Sequence, residues 1–212
     1  YEYKYHGDTD VVKEEKTVYS SGYWRVKYYD EGGRITRSQS KNGWYADHSY
    51  DELGRKTEVS YSYGSRREYE YIGDTEDVLT ERYYYKDKLS STTHYEYYSG
   101  SSALKSRTYE YMSGYWYRQE YDMKTGKAVK YSSSSGYYTC YEYDELGRQI
   151  RTDSSYGYIT LTEYFGNSET VKKRTTYDEQ GRAYTTEFNE LGMIVSYYGW
   201  YSGGYGSTYT YD

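Results

Sequence analysis

Aromatic and polar residues alternate along this chain with a period of two. The opening segment Tyr1-Glu2-Tyr3-Lys4-Tyr5 sends tyrosine to one side and charge to the other, as a β-strand requires. The pattern returns at Tyr61/Tyr63, Tyr69/Tyr71, Tyr83/Tyr85, Tyr95/Tyr97, Tyr109/Tyr111, Tyr115/Tyr117, Tyr141/Tyr143, Tyr156/Tyr158 and Tyr209/Tyr211. No stretch carries the 3.6-residue pattern of a helix. Glycines, from Gly7 to Gly192, separate most of these segments at intervals that fit a strand of about seven residues and a short turn. Asn42-Gly43 predicts a two-residue hairpin turn. Lys86-Asp87-Lys88 occupies a turn position without glycine, where register is least fixed.

One punctuating unit stands out. Tyr50-Asp51-Glu52-Leu53-Gly54-Arg55 recurs letter for letter at Tyr143 to Arg148. Looser copies start at Tyr29, Tyr121, Tyr177 and Phe188. The order has a mechanism: the aromatic ends a strand, the Asp side chain accepts from backbone two residues on, and Gly supplies positive φ. A longer period overlies it. Gly7 and Gly100, Tyr50 and Tyr143, Gly64 and Gly157, and Tyr71 and Tyr164 are each 93 residues apart. Residues 1–212 therefore read as a single repeat array, with units 7–99 and 100–192 and a partial third. The predicted fold class is all-β: tandem antiparallel β-hairpins of about eighteen strands, forming a continuous curled or spiral sheet because flat open sheets rarely exceed about ten strands.

The Tyr-Asp-x-x-Gly-Arg unit and its spacing resemble the YD repeats of Rhs proteins, teneurins and toxin-complex shells. The resemblance implies β-hairpins spiralling side by side into a shell, in a secreted or surface-exposed protein. A self-cleaving Asp-rich core motif and a toxic cargo, which end many of the toxin shells, are not found in the sequence.

Composition sharpens this picture. Tyr occurs 40 times and Pro never, whereas Leu, Ile, Val, Met and Phe together make up about one residue in eight. A tyrosine ladder is thus expected to replace the usual aliphatic interior, each pair of rings adding about 0.5–1.5 kcal/mol beyond burial. The net charge is −6 with both signs interspersed, which disfavours a nucleic-acid partner. No apolar run reaches membrane-spanning length. The first residue is not Met, so a processed product or an excised fragment is expected.

The candidate chemistry is sparse. His6, His48 and His94 lack metal-ligand spacing, and Cys140 is alone. Asp51/Glu52 and Asp144/Glu145 recur with the turn, and turn formation explains them more simply than acid–base work. Gly73 to Asp77 offers oxygen ligands for Ca²⁺ but lacks EF-hand spacing. No catalytic residue, metal site or cofactor is expected, and no enzyme. Two binding surfaces are. The flat aromatic ends, Tyr1, Tyr3, Tyr5, Tyr209 and Tyr211, are edges through which the chain would pair with itself into a fibre, stalk or shell wall. Trp24, Trp44, Trp116 and Trp200 lie beside Gly or Tyr near turns. They resemble the stacking platforms of choline- and glucan-binding cell-wall repeats, Lys41-Asn42-Gly43-Trp44-Tyr45 most closely, which implies cell-surface glycans as the alternative partner.

Overall fold

The computed structural model describes residues 1–199 and 205–209. They form nineteen strands and no helix, from β1 (Glu2–Tyr5) to β19 (Tyr205–Thr208), in one antiparallel sheet. The all-β hairpin architecture is as the alternation predicts, with one strand more than the glycine count gives. Trp200 and Tyr211 lie outside the described residues. Two compact units are present: unit 1 is Tyr1–Tyr95 with Tyr109–Gly114, and unit 2 is Glu96–Thr108 with Tyr115–Asp212.

In unit 1 each strand pairs with the next: β2 (Val12–Val18), β3 (Trp24–Tyr29), β4 (Ile35–Ser40), β5 (Tyr45–Tyr50), β6 (Lys56–Tyr61), β7 (Ser65–Tyr71), β8 (Val78–Tyr85) and β9 (Lys88–Tyr97). In unit 2 the same holds from β11 (Trp116–Tyr121) through β12 (Ala128–Ser133), β13 (Tyr138–Tyr143), β14 (Gln149–Ser154), β15 (Ile159–Tyr164), β16 (Val171–Tyr177), β17 (Ala183–Phe188) and β18 (Ile194–Gly199). Successive turns therefore alternate between the two margins of each unit.

The interior is thin. The buried apolar residues are Val26, Ala46 and Val59, and small polar side chains such as Ser40, Ser65, Thr80, Ser91, Ser106 and Ser133 share their burial. The expected tyrosine ladder is correspondingly partial. Rings meet across strands in unit 2, where Tyr117, Tyr131, Tyr137 and Tyr156 lie 5.8, 5.9 and 5.4 Å apart in succession. Other pairs are neighbours on one strand or across one turn, such as Tyr1/Tyr3 and Tyr19/Tyr23. Several other tyrosines donate to a carboxylate, and others have a cation over the ring.

That partnership is built on the Tyr-Asp-x-x-Gly-Arg turn. In Asp51–Gly54 the Gly54 amide donates to the Asp51 carbonyl and the Asp51 amide to the Arg55 carbonyl, with Gly54 at φ +84°. This is a type I turn closed by a left-handed glycine. Asp51 Oδ1 accepts from the amides of Leu53 and Arg55 at 3.1 and 2.8 Å, and Oδ2 accepts from Arg55 Nε at 2.8 Å. The guanidinium, thus aimed, lies over the Tyr71 ring at 4.7 Å and donates to the Gly73 and Thr75 carbonyls of the next turn on the same margin. The Tyr71 hydroxyl returns a bond to the Lys56 carbonyl at 2.7 Å.

The same cation–tyrosine contact recurs at three other cations, each with its tyrosine sixteen residues on. Arg148 lies over Tyr164 at 4.6 Å and donates to the Gly166 and Ser168 carbonyls. Arg34 and Lys127 lie over Tyr50 and Tyr143, both at 5.2 Å. Each phenol donates to the carbonyl just after the cation: Tyr50 to Ile35, Tyr143 to Ala128 and Tyr164 to Gln149. The ladder slips by one residue at these aromatics, for example between Ser49 and Tyr50, and between Glu142 and Tyr143. A bulge leaves one residue unpaired, and the phenol supplies a donor beside it.

The opposite margin is joined by main chain. Lys41 donates its amide to the Trp24 carbonyl and Ser62 to Tyr45 in unit 1, and Ser134 to Trp116 and Ser155 to Tyr138 in unit 2. The Asp178–Arg182 turn falls on this margin. It keeps the internal bonds of its relatives, and its guanidinium also donates to Gln180 of its own turn.

One turn expectation needs correction. Asn42-Gly43 is not a two-residue turn. The loop runs from Ser40 to Gly43, with Gly43 amide to Ser40 carbonyl and Ser40 amide to Trp44 carbonyl, so Lys41 and Asn42 occupy the centre and Gly43 is the bulge. The glycine-free turn expected at Lys86-Asp87 is a two-residue turn, with φ of +48° and +59° and Tyr85 paired to Lys88. Two side chains there sit where Asn-Gly is preferred.

Two stability outcomes follow. Arg55→Ala should lower unfolding free energy by about 2–3 kcal/mol through the lost ring contact and two charged hydrogen bonds. Arg55→Lys should lose about half of that, and Arg182→Ala, whose side chain is 45% exposed against 11% for Arg55, markedly less, in urea titrations followed by circular dichroism. Lys86→Asn with Asp87→Gly should gain about 1 kcal/mol by relieving the left-handed strain.

Candidate functional site

The residues that could act on a partner fall on three surfaces. The first is β1. All four of its residues are exposed, and Tyr1, Tyr3 and Tyr5 are 81, 49 and 51% accessible. Two ion pairs, Lys4–Glu14 at 2.9 Å and Lys16–Glu2 at 3.2 Å, hold it to β2. At the other end, Tyr209 is exposed and donates its amide to the Val195 carbonyl.

The second is a groove of about 440 Å³ in unit 1, lined by Tyr23, Arg25, Lys27, Ser38, Asn42 and Trp44 among others. The loop correction above explains it. Asn42 Oδ1 accepts from Ser40 Oγ and from the Trp44 amide, which sets the indole at the mouth. Trp24 and Trp116 take a different place. They open β3 and β11, half-buried, and neither lines this groove.

The third is a smaller pocket of about 280 Å³, lined by Tyr61, Tyr63, Ser65, Arg67, Glu81 and Tyr83 among others. Arg67 and Glu81 pair across it at 3.0 Å, and Ser65 Oγ is buried with no hydrogen-bond partner.

The remaining chemical candidates are occupied by structural roles. Within the Gly73 to Asp77 run, the Gly73 and Thr75 carbonyls accept from Arg55. Among the described residues no group of three or more His, Cys, Asp or Glu could hold a metal. His6 Nε2 bonds the Tyr29 carbonyl at 2.9 Å, and His94 lies 3.8 Å from Glu110. Cys140 is a half-buried free thiol on β13. Asp144 is held below the usual carboxylate range by the Arg148 side chain, against the opposing effect of burial, so it serves the turn as an anion. His48 is different. Burial, then Lys56, pushes its imidazole down against the pull of Asp47, and its Nδ1 is buried without a partner.

No family model matches the chain, and no curated protein matches it. Among solved structures it is similar to a TcdB2-TccC3-TEV complex, at 12% identity and a TM-score of 0.33, covering 88% of this chain and 13% of that one. A Tc holotoxin pore from Photorhabdus luminescens gives 12%, 0.31, 88% and 13%. A porin-like protein from Bacteroides uniformis gives 10%, 0.37, 91% and 91%. The chain spans about an eighth of the length of the two toxin chains. At such identities the likeness concerns the fold alone. No helix among the described residues is long and apolar enough to cross a membrane, which says nothing of a β-barrel.

The His48 environment gives a pH outcome. The unfolded state binds a proton near pH 6.5 that the folded state resists, so stability is complete above that pH and declines as pH falls below it. Unfolding midpoints measured between pH 7.5 and 5.5 should decline for the natural chain, and His48→Leu should flatten the decline.

Proposed function

We propose that this chain is a non-enzymatic YD-type repeat scaffold, displayed outside the cell, whose hairpins build a β-rich wall or fibre. The observation that carries the reading is the repeated cation–tyrosine contact. Four cations each seat on the tyrosine of the following turn on the same margin, so each of these turns is completed by its neighbour. A unit of that kind adds copies with little cost in new design, as solenoid repeats do. The charge chemistry is consumed in doing so: Asp51 and Asp144 spend their oxygens on the turn, leaving no free acid–base pair there.

The partner that fits is a second copy. β1 presents exposed tyrosines on a short strand whose Lys4 and Glu2 are already paired within the chain. Such an edge accepts another strand, and its tyrosines supply flat rings to stack. Joining β1 of one copy to the far end of another is a head-to-tail contact, which propagates.

Dynamic light scattering over a hundredfold concentration range, with negative-stain microscopy, tests this. Concentration-dependent assemblies are expected for the natural chain. Tyr3→Pro, which removes one amide donor and one ring from the edge, should abolish them while the β-sheet circular dichroism persists. A monodisperse monomer at the highest concentration would refute self-assembly.

A further inference from the structure

The two units carry the same strand registers but fill them differently, and the difference marks a site. In unit 1 Arg25 stands opposite Ser40, Lys27 opposite Ser38, and Ser38 opposite Ala46. In unit 2 the matching pairs are Tyr117 with Ser133, Gln119 with Tyr131, and Tyr131 with Thr139. Arg25 thus takes the place of Tyr117 and Ser38 that of Tyr131. Trp44 and Tyr137 each immediately precede the equivalent strands β5 and β13.

In unit 2 these positions form a run of touching rings, Tyr117 to Tyr131 at 5.8 Å and Tyr131 to Tyr137 at 5.9 Å. In unit 1 the two leading rings are gone. What remains is the 440 Å³ groove, with Tyr23 and Trp44 in its lining. The sheet there is shaped for a flat ring that the chain does not supply.

We propose that this groove binds a ring of an acidic saccharide, a pyranose bearing a carboxylate. Three observations select that class. Trp44 is 38% exposed and offers an indole face for the apolar side of a sugar, as amphipathic aromatics do. The lining carries Arg25 and Lys27 and no carboxylate, on a chain whose net charge is −6. Arg25 already lies over the Tyr23 ring at 5.8 Å, with a planar fork suited to a carboxylate. Lys27 reaches Glu15 only at 3.5 Å, at an exposed position, so a ligand anion can compete for it. Ser38 and Asn42 supply hydroxyl and amide partners for the sugar hydroxyls. The volume lies within the range of small-ligand sites.

This inference does not rest on the scaffold reading, since a monomer could bind the sugar and a filament could fail to. The test is isothermal titration of the full chain with trigalacturonate and with neutral maltotriose. Trigalacturonate should bind at least tenfold more tightly, and its affinity should fall as salt rises. Ser38→Tyr, which restores the ring that unit 2 carries at Tyr131, should abolish binding with the β-sheet spectrum intact. Trp44→Ala should weaken it at least tenfold, and Arg25→Ser should erase the preference for the acidic trimer. Should Ser38→Tyr fail to fold, the other two variants report on the same groove. The proposal is overturned if trigalacturonate gives no saturable heat up to millimolar concentration, if maltotriose binds equally well, or if these variants bind like the natural chain.

Discussion

A cation resting on a tyrosine one turn further along the same margin is the interaction on which this sheet depends. The chain buries three aliphatic side chains among its described residues, too few for a core of the usual kind. Strand ladders alone do not fix how one turn sits against the next. The guanidinium does, because it is held at one end by the Asp of its own turn and donates at the other to carbonyls of the following one. Cohesion is therefore nearest-neighbour throughout, and long-range order emerges from repetition of a short-range rule.

Much of the architecture was legible in the sequence, for physical reasons that can be named. Alternation of Tyr with charge reports strands directly, and Asp51-x-x-Gly54 reports a turn because both residues act within four positions of each other. The destination of Arg55 was not legible. Its target lies sixteen residues on, past two strands, and tyrosine is so frequent that spacing alone selects no particular ring. Asn42-Gly43 misled because the dipeptide suits two loops. The bonds from Ser40 and Trp44 to Asn42 Oδ1 favour the longer one.

The two margins also explain why the motif shows mainly at alternate turns, the Asp178–Arg182 copy on the main-chain margin being the exception. Where turns are joined by side chains, residue identity is constrained, and the Tyr-Asp-x-x-Gly-Arg unit recurs. Where they are joined by main-chain bonds such as Lys41 to Trp24 and Ser155 to Tyr138, almost any polar residue before the glycine suffices. The turns there accordingly read Ser40-Lys41-Asn42-Gly43 or Ser154-Ser155-Tyr156-Gly157. The groove beside Trp44 was hidden for a related reason. It arises from residues that differ between two copies of one register, and it became visible only once the registers aligned them.

The main-chain margin has an engineering consequence. Its turns are held by amides and carbonyls that every residue carries, so its lettering is free while its geometry is not. A peptide displayed from that side, between Tyr111 and Gly114 for instance, where Met112 is 65% exposed, would ride on the sheet without disturbing a cation or a ring. The same graft placed at Asp51 would cut the thread that binds one hairpin to the next.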